Sequence, residues 1–400
     1  MASIFRLILP TLLPITTLVL SIGAFFFLAN FSRLQKIILS PLLYIPAVVS
    51  FATSNRWLGD LSSLWGLLLC IWVGHSTSLL FIEDVQVWED GEWMGRSSKL
   101  APYVPSQYHK GLKLWNNPRL LGTSRQFVGC PTPLARSMTP LPRFAAIRLG
   151  KLGTYAAIYF YVRSHIFPNM FMPIRMDEFD QQHQVYFRRL LLRNPPVTLR
   201  ETLMRCAFVF WWVFAAVAML DSAHIALSLV SVNLLRFDGP SEWPSIFGPL
   251  SQAWSIRRFW GRFWHQIVRR TYKNYGEFIS RTILHLQPHS LPDKVFVIFV
   301  IFFLSGVSHT AVSWQLGDNC GWSLDICWFC ANFVAGLLEV IVTWLLRCSV
   351  RESGQKIQPK WLDGSIWSRG FGFIWVFLFL FWSIPKWQYP KVYCQLIVSV

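Results

Sequence analysis

The residue best placed to do chemistry is His309. It closes the run Phe302-Phe-Leu-Ser-Gly-Val-Ser-His309, inside an apolar stretch that begins at Val295. At about 1.5 Å per residue the imidazole lies roughly 20 Å from the start of that stretch. An ionisable group so deep in a membrane helix is costly and is a functional candidate by default. Ser305 and Ser308 are its helix neighbours, and Gly306 allows another group to approach closely. A neutral imidazole there can take a proton from a substrate hydroxyl. A hydrogen-bonded structural histidine fits the position equally well.

A second concentration of reactive types is Trp254-Ser-Ile-Arg-Arg-Phe-Trp-Gly-Arg-Phe-Trp-His-Gln-Ile-Val-Arg-Arg270. Ile256, Phe259, Trp260, Phe263, Trp264 and Ile267 recur at helical spacing, with Arg257, Arg258, Arg262, Arg269 and Arg270 mostly off the stripe. That pattern predicts an amphipathic helix lying in the membrane interface. Guanidinium forks also match phosphate oxygens, so the same arginines can form a basic mouth for a phosphate-rich ligand. Glu339, midway along another apolar run, needs a donor on a neighbouring helix, or else orients an imidazole. Asp221 and His224 read as the wet end of the span that starts at Leu203.

Other chemistries are poorly supplied. Cys327-x-x-Cys330 has no second pair, and in an apolar helix it is one face of small hydrophobes. His285-Leu-Gln-Pro-His289 resembles one box of the membrane di-iron desaturases, which need several, so no metal is expected. There is no Gly-x-Ser-x-Gly elbow, Walker loop or Rossmann fingerprint.

These residues sit in a chain built for lipid. Of 400 residues 53% are hydrophobic and 14% charged, with mean hydropathy +0.39. A soluble domain of this size needs about 25% charged residues to cover itself. The 21 Trp and 33 Phe point the same way, so the chain reads as an all-α, polytopic integral membrane protein. Clear spans are Ile4–Ala29, Ile37–Ala52, Leu61–Ile82, Leu203–Leu220, Val295–Trp314 and Ile326–Leu346. Phe144–Val162, interrupted by Arg148 and Lys151, and Trp367–Ile384 are weaker. Together they make about eight transmembrane helices. The Ile225–Leu235 run either extends the Leu203 helix or re-enters as a half-span. The first run is read as retained rather than cleaved.

The formal charge of +17 fits basic loops facing anionic lipid rather than nucleic acid. Arg33, Lys36, Arg96, Lys99, Lys110, Lys113, Arg119, Arg125, Arg136, Arg236, Arg351, Lys356 and Lys360, with the Arg257–Arg281 group, place the odd loops in the cytoplasm. Asn30-Phe31-Ser32 has the glycosylation pattern but abuts a span on that side, so it is expected to be unmodified.

Trp243-Pro-x-Ile-Phe-Gly248, Ser251-x-Ala253, Arg258-Phe-Trp-Gly-Arg-Phe-Trp-His-Gln266 and Phe303-Leu-Ser-Gly-x-x-His309 together resemble the wax-synthase-like branch of the membrane-bound O-acyltransferases. The strongest likeness covers residues 236–315. Leu114-Trp-Asn-Asn-Pro-Arg119 with Gly122 looks like a weaker upstream element, and the first hundred residues match only in hydropathy. On this basis residues 1–143 hold N-terminal membrane helices and a basic loop, residues 144–400 the acyltransferase core, in one integrated membrane domain.

The resemblance implies helices around an intramembrane tunnel, acyl-CoA entering from the cytosol and a lipophilic alcohol from the bilayer. His309 matches the family's catalytic histidine and would take the hydroxyl proton during direct transfer. His265 falls where many relatives carry Asn and would hydrogen-bond the thioester or the CoA arm. Trp260 and Trp264 would line the tunnel, Arg258 and Arg262 would contact CoA phosphates, and Gln266 and Ser305 join the substrate-binding set. No cofactor is bound; acetyl-CoA or another acyl-CoA is a co-substrate. The His265 variant resembles fungal acetyltransferases acting on terpenoid or meroterpenoid alcohols in the endoplasmic reticulum. A long-chain wax ester synthase is the alternative within the family. A transporter is the alternative outside it, weighed down by the absence of internal repeats.

Overall fold

The computed structural model describes residues 2–84, 106–121, 139–318, 320–352 and 366–398. Arg96, Lys99, Gly122, Arg125, Arg136, Lys356 and Lys360 lie outside the described residues. Every regular element among the described residues is helical.

Six helices among the described residues are long and apolar enough to cross a membrane: Arg33–Leu58, Ser62–Ile82, Leu199–Leu234, Leu291–Gln315, Ser323–Ser349 and Ile366–Ile397. The chain is thus polytopic, with six such helices where about eight were expected. The first predicted span, Ile4–Ala29, is a helix, Ala2–Leu28, and Leu12–Leu28 is its described apolar part. Phe144–Val162 is also helical, as Leu141–Tyr161, but Arg148 and Lys151 keep it out of the six. Its cations are used inside the protein. Lys151 pairs with Asp221 at 2.5 Å, Tyr155 donates to the same carboxylate at 2.9 Å, and Arg148 donates to the Trp243 carbonyl.

Asp221 corrects a sequence expectation. It is fully buried and does not mark a wet helix end. The helix runs on past His224 to Leu229 and through a π-helical turn, Val230–Leu234. An acid with a cation and a phenol to satisfy it can sit mid-helix, because pairing offsets desolvation. The Ile225–Leu235 run is therefore an extension, not a re-entrant half-span.

The chain divides into two compact units. The first comprises Met1–Thr132 and Gln266–Phe329. Its core packs Phe25, Leu28, Leu43, Leu79, Leu80, Leu114 and Leu120. Without a hydrophobic drive between helices in lipid, small residues and hydrogen bonds join them. Ser21 Oγ donates to the Leu43 carbonyl at 2.5 Å, Ser50 Oγ to Pro14 at 2.6 Å, and Gln315 Nε2 to Ser54 Oγ at 2.9 Å.

The second unit comprises Pro133–His265 and Cys330–Val400. Phe171, Phe179, Met204 and Tyr389 form its cluster. Beside them Arg205, 1% exposed, lies over the rings of Tyr186, Tyr389 and Phe381 at 4.9, 5.4 and 5.5 Å. It donates to the Phe381 carbonyl at 3.1 Å and to the His183 carbonyl. Cation–π contact and carbonyl acceptors together make that buried charge tolerable.

Candidate active site

His309 lies in the first unit, on the helix Leu291–Gln315. Ser290 caps that helix by accepting from the Asp293 N–H at 3.3 Å. Asp293 in turn accepts from Ser280 Oγ at 2.7 Å and the His289 N–H at 2.8 Å. The helix start is thereby tied to the preceding segment. Around His309 the fixing is closer still. A Cβ on Gly306 would sit 2.8 Å from the Ile326 Cα, so only glycine allows the start of the Ser323–Glu352 helix to approach here. Thr310 Oγ1 donates to the Trp322 carbonyl at 2.9 Å, and Ser313 Oγ to Asp325 at 2.8 Å. The half-buried imidazole stacks on Phe329, centroids 5.0 Å apart and planes at 23°.

The two serines beside His309 are engaged. Ser305 Oγ, proposed above for substrate binding, donates to the Ile301 carbonyl at 2.8 Å. Ser308 Oγ donates to Leu304 at 2.9 Å and lies 2.6 Å from the Tyr272 hydroxyl. With the serine proton directed at Leu304, Tyr272 is the donor. Burial raises the phenol to about 12, against the lowering effect of the Ser308 bond, so it keeps its proton. Tyr272 was missed in the sequence, where only its position in a polar segment was visible.

In the second unit the segment after Trp254 departs from its expected form. A continuous amphipathic helix over residues 254–270 does not form. Ile256–Arg258 is a single turn, Phe259–Phe263 a π-helical turn, Trp264 is extended, and a new helix begins only at Arg269. Distant partners dictate this shape. The Glu339 carboxylate accepts the backbone N–H groups of Ile256 and Arg257 at 2.6 and 3.1 Å, and the Trp375 indole N–H at 2.7 Å. Two turns back on the same helix, the Asn332 Oδ1 accepts the Trp260 indole N–H at 2.9 Å. Gly248 N–H donates to the Phe263 carbonyl at 2.9 Å. A Cβ at Gly248 would collide with the Arg262 carbonyl. Glu339 thus holds backbone donors at the start of a turn, where its charge also suits the exposed N–H groups.

Glu339→Gln removes charge from three hydrogen bonds and turns an amide N–H₂ toward donors. The expected loss is about 2 kcal/mol, or roughly 4–8 °C in thermal midpoint, read by heating the detergent-solubilised chain before size-exclusion chromatography. An unshifted midpoint would contradict this role.

The remaining donor-side candidates cluster on that turn. Arg258 lies 4.2 Å over the Trp254 ring and donates to Gln252 Oε1 at 2.6 Å. Burial first, then the nearby guanidiniums of Arg262, Arg369 and Arg257, holds it below the ordinary arginine value. Such crowding of like charge favours an anion. Arg262 is exposed and Trp260 and His265 are half-buried. Phe247 meets the His265 ring edge-on at 5.8 Å. Gln266, in the first unit, is buried and accepts from Arg269 at 2.9 Å. Neither Cys327 nor Cys330 is in a disulfide.

The first unit also gathers the weak upstream element. Arg270 Nε donates to the Pro118 carbonyl at 2.9 Å, and Asn117 closes that loop by bonding both the N–H and the carbonyl of Leu121.

Residues 243–331 match the model of the membrane bound O-acyl transferase family. The matched segment carries the Trp243–Gly248 element, the Arg258–Gln266 element and Ser305–His309 in order. Acetyltransferase ple2 of Rhodocybe pseudopiperita is 30% identical over 203 residues, 51% of this chain and 51% of its own length. Acetyltransferase spyB of Aspergillus fumigatus is 31% identical over 196 residues, 48% of this chain and 32% of its own. Acetyltransferase TRI7 of Fusarium sporotrichioides is 31% identical over 185 residues, 46% and 41%. The chain thus spans about half or less of the length of these curated relatives. No solved structure matches it.

Proposed function

We propose that the chain is an acyl-CoA-dependent O-acyltransferase that acetylates a hydroxyl of a lipophilic secondary metabolite, of terpenoid or meroterpenoid class, in the endoplasmic reticulum membrane. The observation that carries this reading is the family match over residues 243–331, which contains His309 and the arginine–tryptophan segment ending at His265. The choice of acetyl rests on relatives named acetyltransferases.

In this reading His309 is the general base. Its imidazole accepts the acceptor's hydroxyl proton as the oxygen attacks the thioester carbonyl. The carbon–sulfur bond then breaks, and the imidazolium returns the proton to the CoA thiolate. No acyl-enzyme forms, and no group but the two substrates is consumed. His265 donates a hydrogen bond to the donor, and the Arg258 and Arg262 guanidiniums meet its phosphates. A rigid imidazole is the requirement such a base imposes, and the close packing at Gly306 with the hydrogen bonds of Thr310 and Ser313 supplies rigidity to its helix.

The test is product analysis in microsomes carrying the chain, with acetyl-CoA or palmitoyl-CoA and a panel of terpenoid and fatty alcohols. Acetyl esters accompanied by stoichiometric free CoA are expected. Palmitoyl esters alone would overturn the acetyl assignment, and no ester with either donor would overturn the enzyme.

A further inference from the structure

Trp264 directly precedes His265, and its ring is 8% exposed. Other rings occupy its surroundings. Trp212 lies parallel to it, centroids 5.5 Å apart and planes at 1°. Phe259 stacks at 5.4 Å and 24°. Trp260 and Phe247 meet it edge-on at 5.3 and 5.6 Å. Behind Trp212, the Trp387 ring closes edge-on at 5.6 Å and 75°. All six rings belong to the second unit, and Trp212 and Trp387 come from helices outside residues 243–331.

A long acyl chain needs a continuous dry channel beside its thioester, in which each buried methylene adds a few-fold to binding. A stack at near-parallel separation has no such channel. Interiors are close-packed, so a chain could enter only by displacing a ring. A two-carbon acyl group makes no such demand. We propose that Trp212, stacked on Trp264, is the stop that restricts the donor to short acyl groups. This inference rests on the acyltransferase reading and on the donor lying beside the Trp264–His265 pair. Trp212 is the replaceable member of the stack. It stands on a long regular helix, Leu199–Leu229, whereas Trp260 and Trp264 stand on the irregular turn that the donor itself would contact.

The experiment uses the full chain in lipid nanodiscs and the unreactive thioethers S-ethyl-CoA and S-octyl-CoA, each displacing radiolabelled acetyl-CoA. Wild type is expected to bind S-octyl-CoA at least 10-fold more weakly than S-ethyl-CoA. In Trp212→Ala the ratio of octyl to ethyl affinity should rise at least 10-fold. Trp212→Leu, which keeps more of the packing, serves if the alanine variant does not fold and should move the ratio the same way. An unchanged ratio in a monodisperse variant overturns the inference while leaving the acyltransferase reading intact. So does a wild type that binds both thioethers equally. A wild type that binds no CoA ester overturns both.

Discussion

Replacing His309 with alanine is expected to lower ester formation roughly 10³-fold, the size of effect attached to a positioned general base. The protein should remain folded. The imidazole is half-buried, with the Phe329 stack among its contacts. The bonds that fix the local helices come from Thr310, Ser313 and the Gly306 contact, none of which the substitution touches. Activity and stability therefore separate: turnover collapses while the elution profile and thermal midpoint in detergent stay near wild type. His309→Gln, which keeps polarity and bulk but cannot accept and return the proton, should be equally inactive. Equal ester yield from equal amounts of wild type and His309→Ala would remove the base from the mechanism and leave His309 as a structural residue. Aggregation of both variants would instead assign it to packing.

Hydropathy made the long helices legible because a membrane helix depends on its own composition. Leu61–Ile82 and Val295–Trp314 reappear nearly at their expected bounds as Ser62–Ile82 and Leu291–Gln315. What failed depended on remote partners. The stripe through Ile256, Phe259, Trp260 and Phe263 is helical in spacing, yet Glu339 and Gly248 hold that backbone in short turns. Periodicity, a local property, cannot register a carboxylate from another helix. Arg148 and Lys151 looked like interruptions of a weak span, and Asp221 like a helix end, until the ion pair joined two of them. Glu339 was expected to find a neighbouring donor and did; that most of its donors are peptide N–H groups was invisible in side-chain chemistry. Two of the elements that carried the resemblance, Trp243–Gly248 and the arginine–tryptophan segment, pack together within the second unit, Gly248 against Arg262 and Phe263, while the His309 element lies in the first. The role of Tyr272 could be found only from geometry.

The largest expected loss of stability belongs to Arg270. Its side chain, 4% exposed, has three kinds of acceptor. It donates to the Glu83 carboxylate, to His75 Nδ1 at 2.7 Å and to the Pro118 carbonyl at 2.9 Å. His75 meets the Leu114 carbonyl through Nε2 at 2.8 Å, which places its proton on Nε2 and leaves Nδ1 free to accept from Arg270. Glu83 also accepts from Ser78 Oγ at 2.7 Å and Asn274 Nδ2 at 2.8 Å. Truncating Arg270 to alanine strands an anion, an imidazole acceptor and a carbonyl away from water. Breaking one side of a buried pair costs about 3–5 kcal/mol, so a midpoint lower by roughly 10 °C is expected. Arg270→Lys should recover only part of this, since one ammonium cannot reproduce the planar fork. Removing the anion as well, in Arg270→Met with Glu83→Gln, should be milder than the sum of the single changes, because no lone charge remains. Heating each variant in detergent and following the folded peak decides the matter. Strictly additive losses, or an Arg270→Ala midpoint within 2 °C or so of wild type, would show that the network contributes little and that the Leu114–Arg119 element is held by its apolar contacts alone.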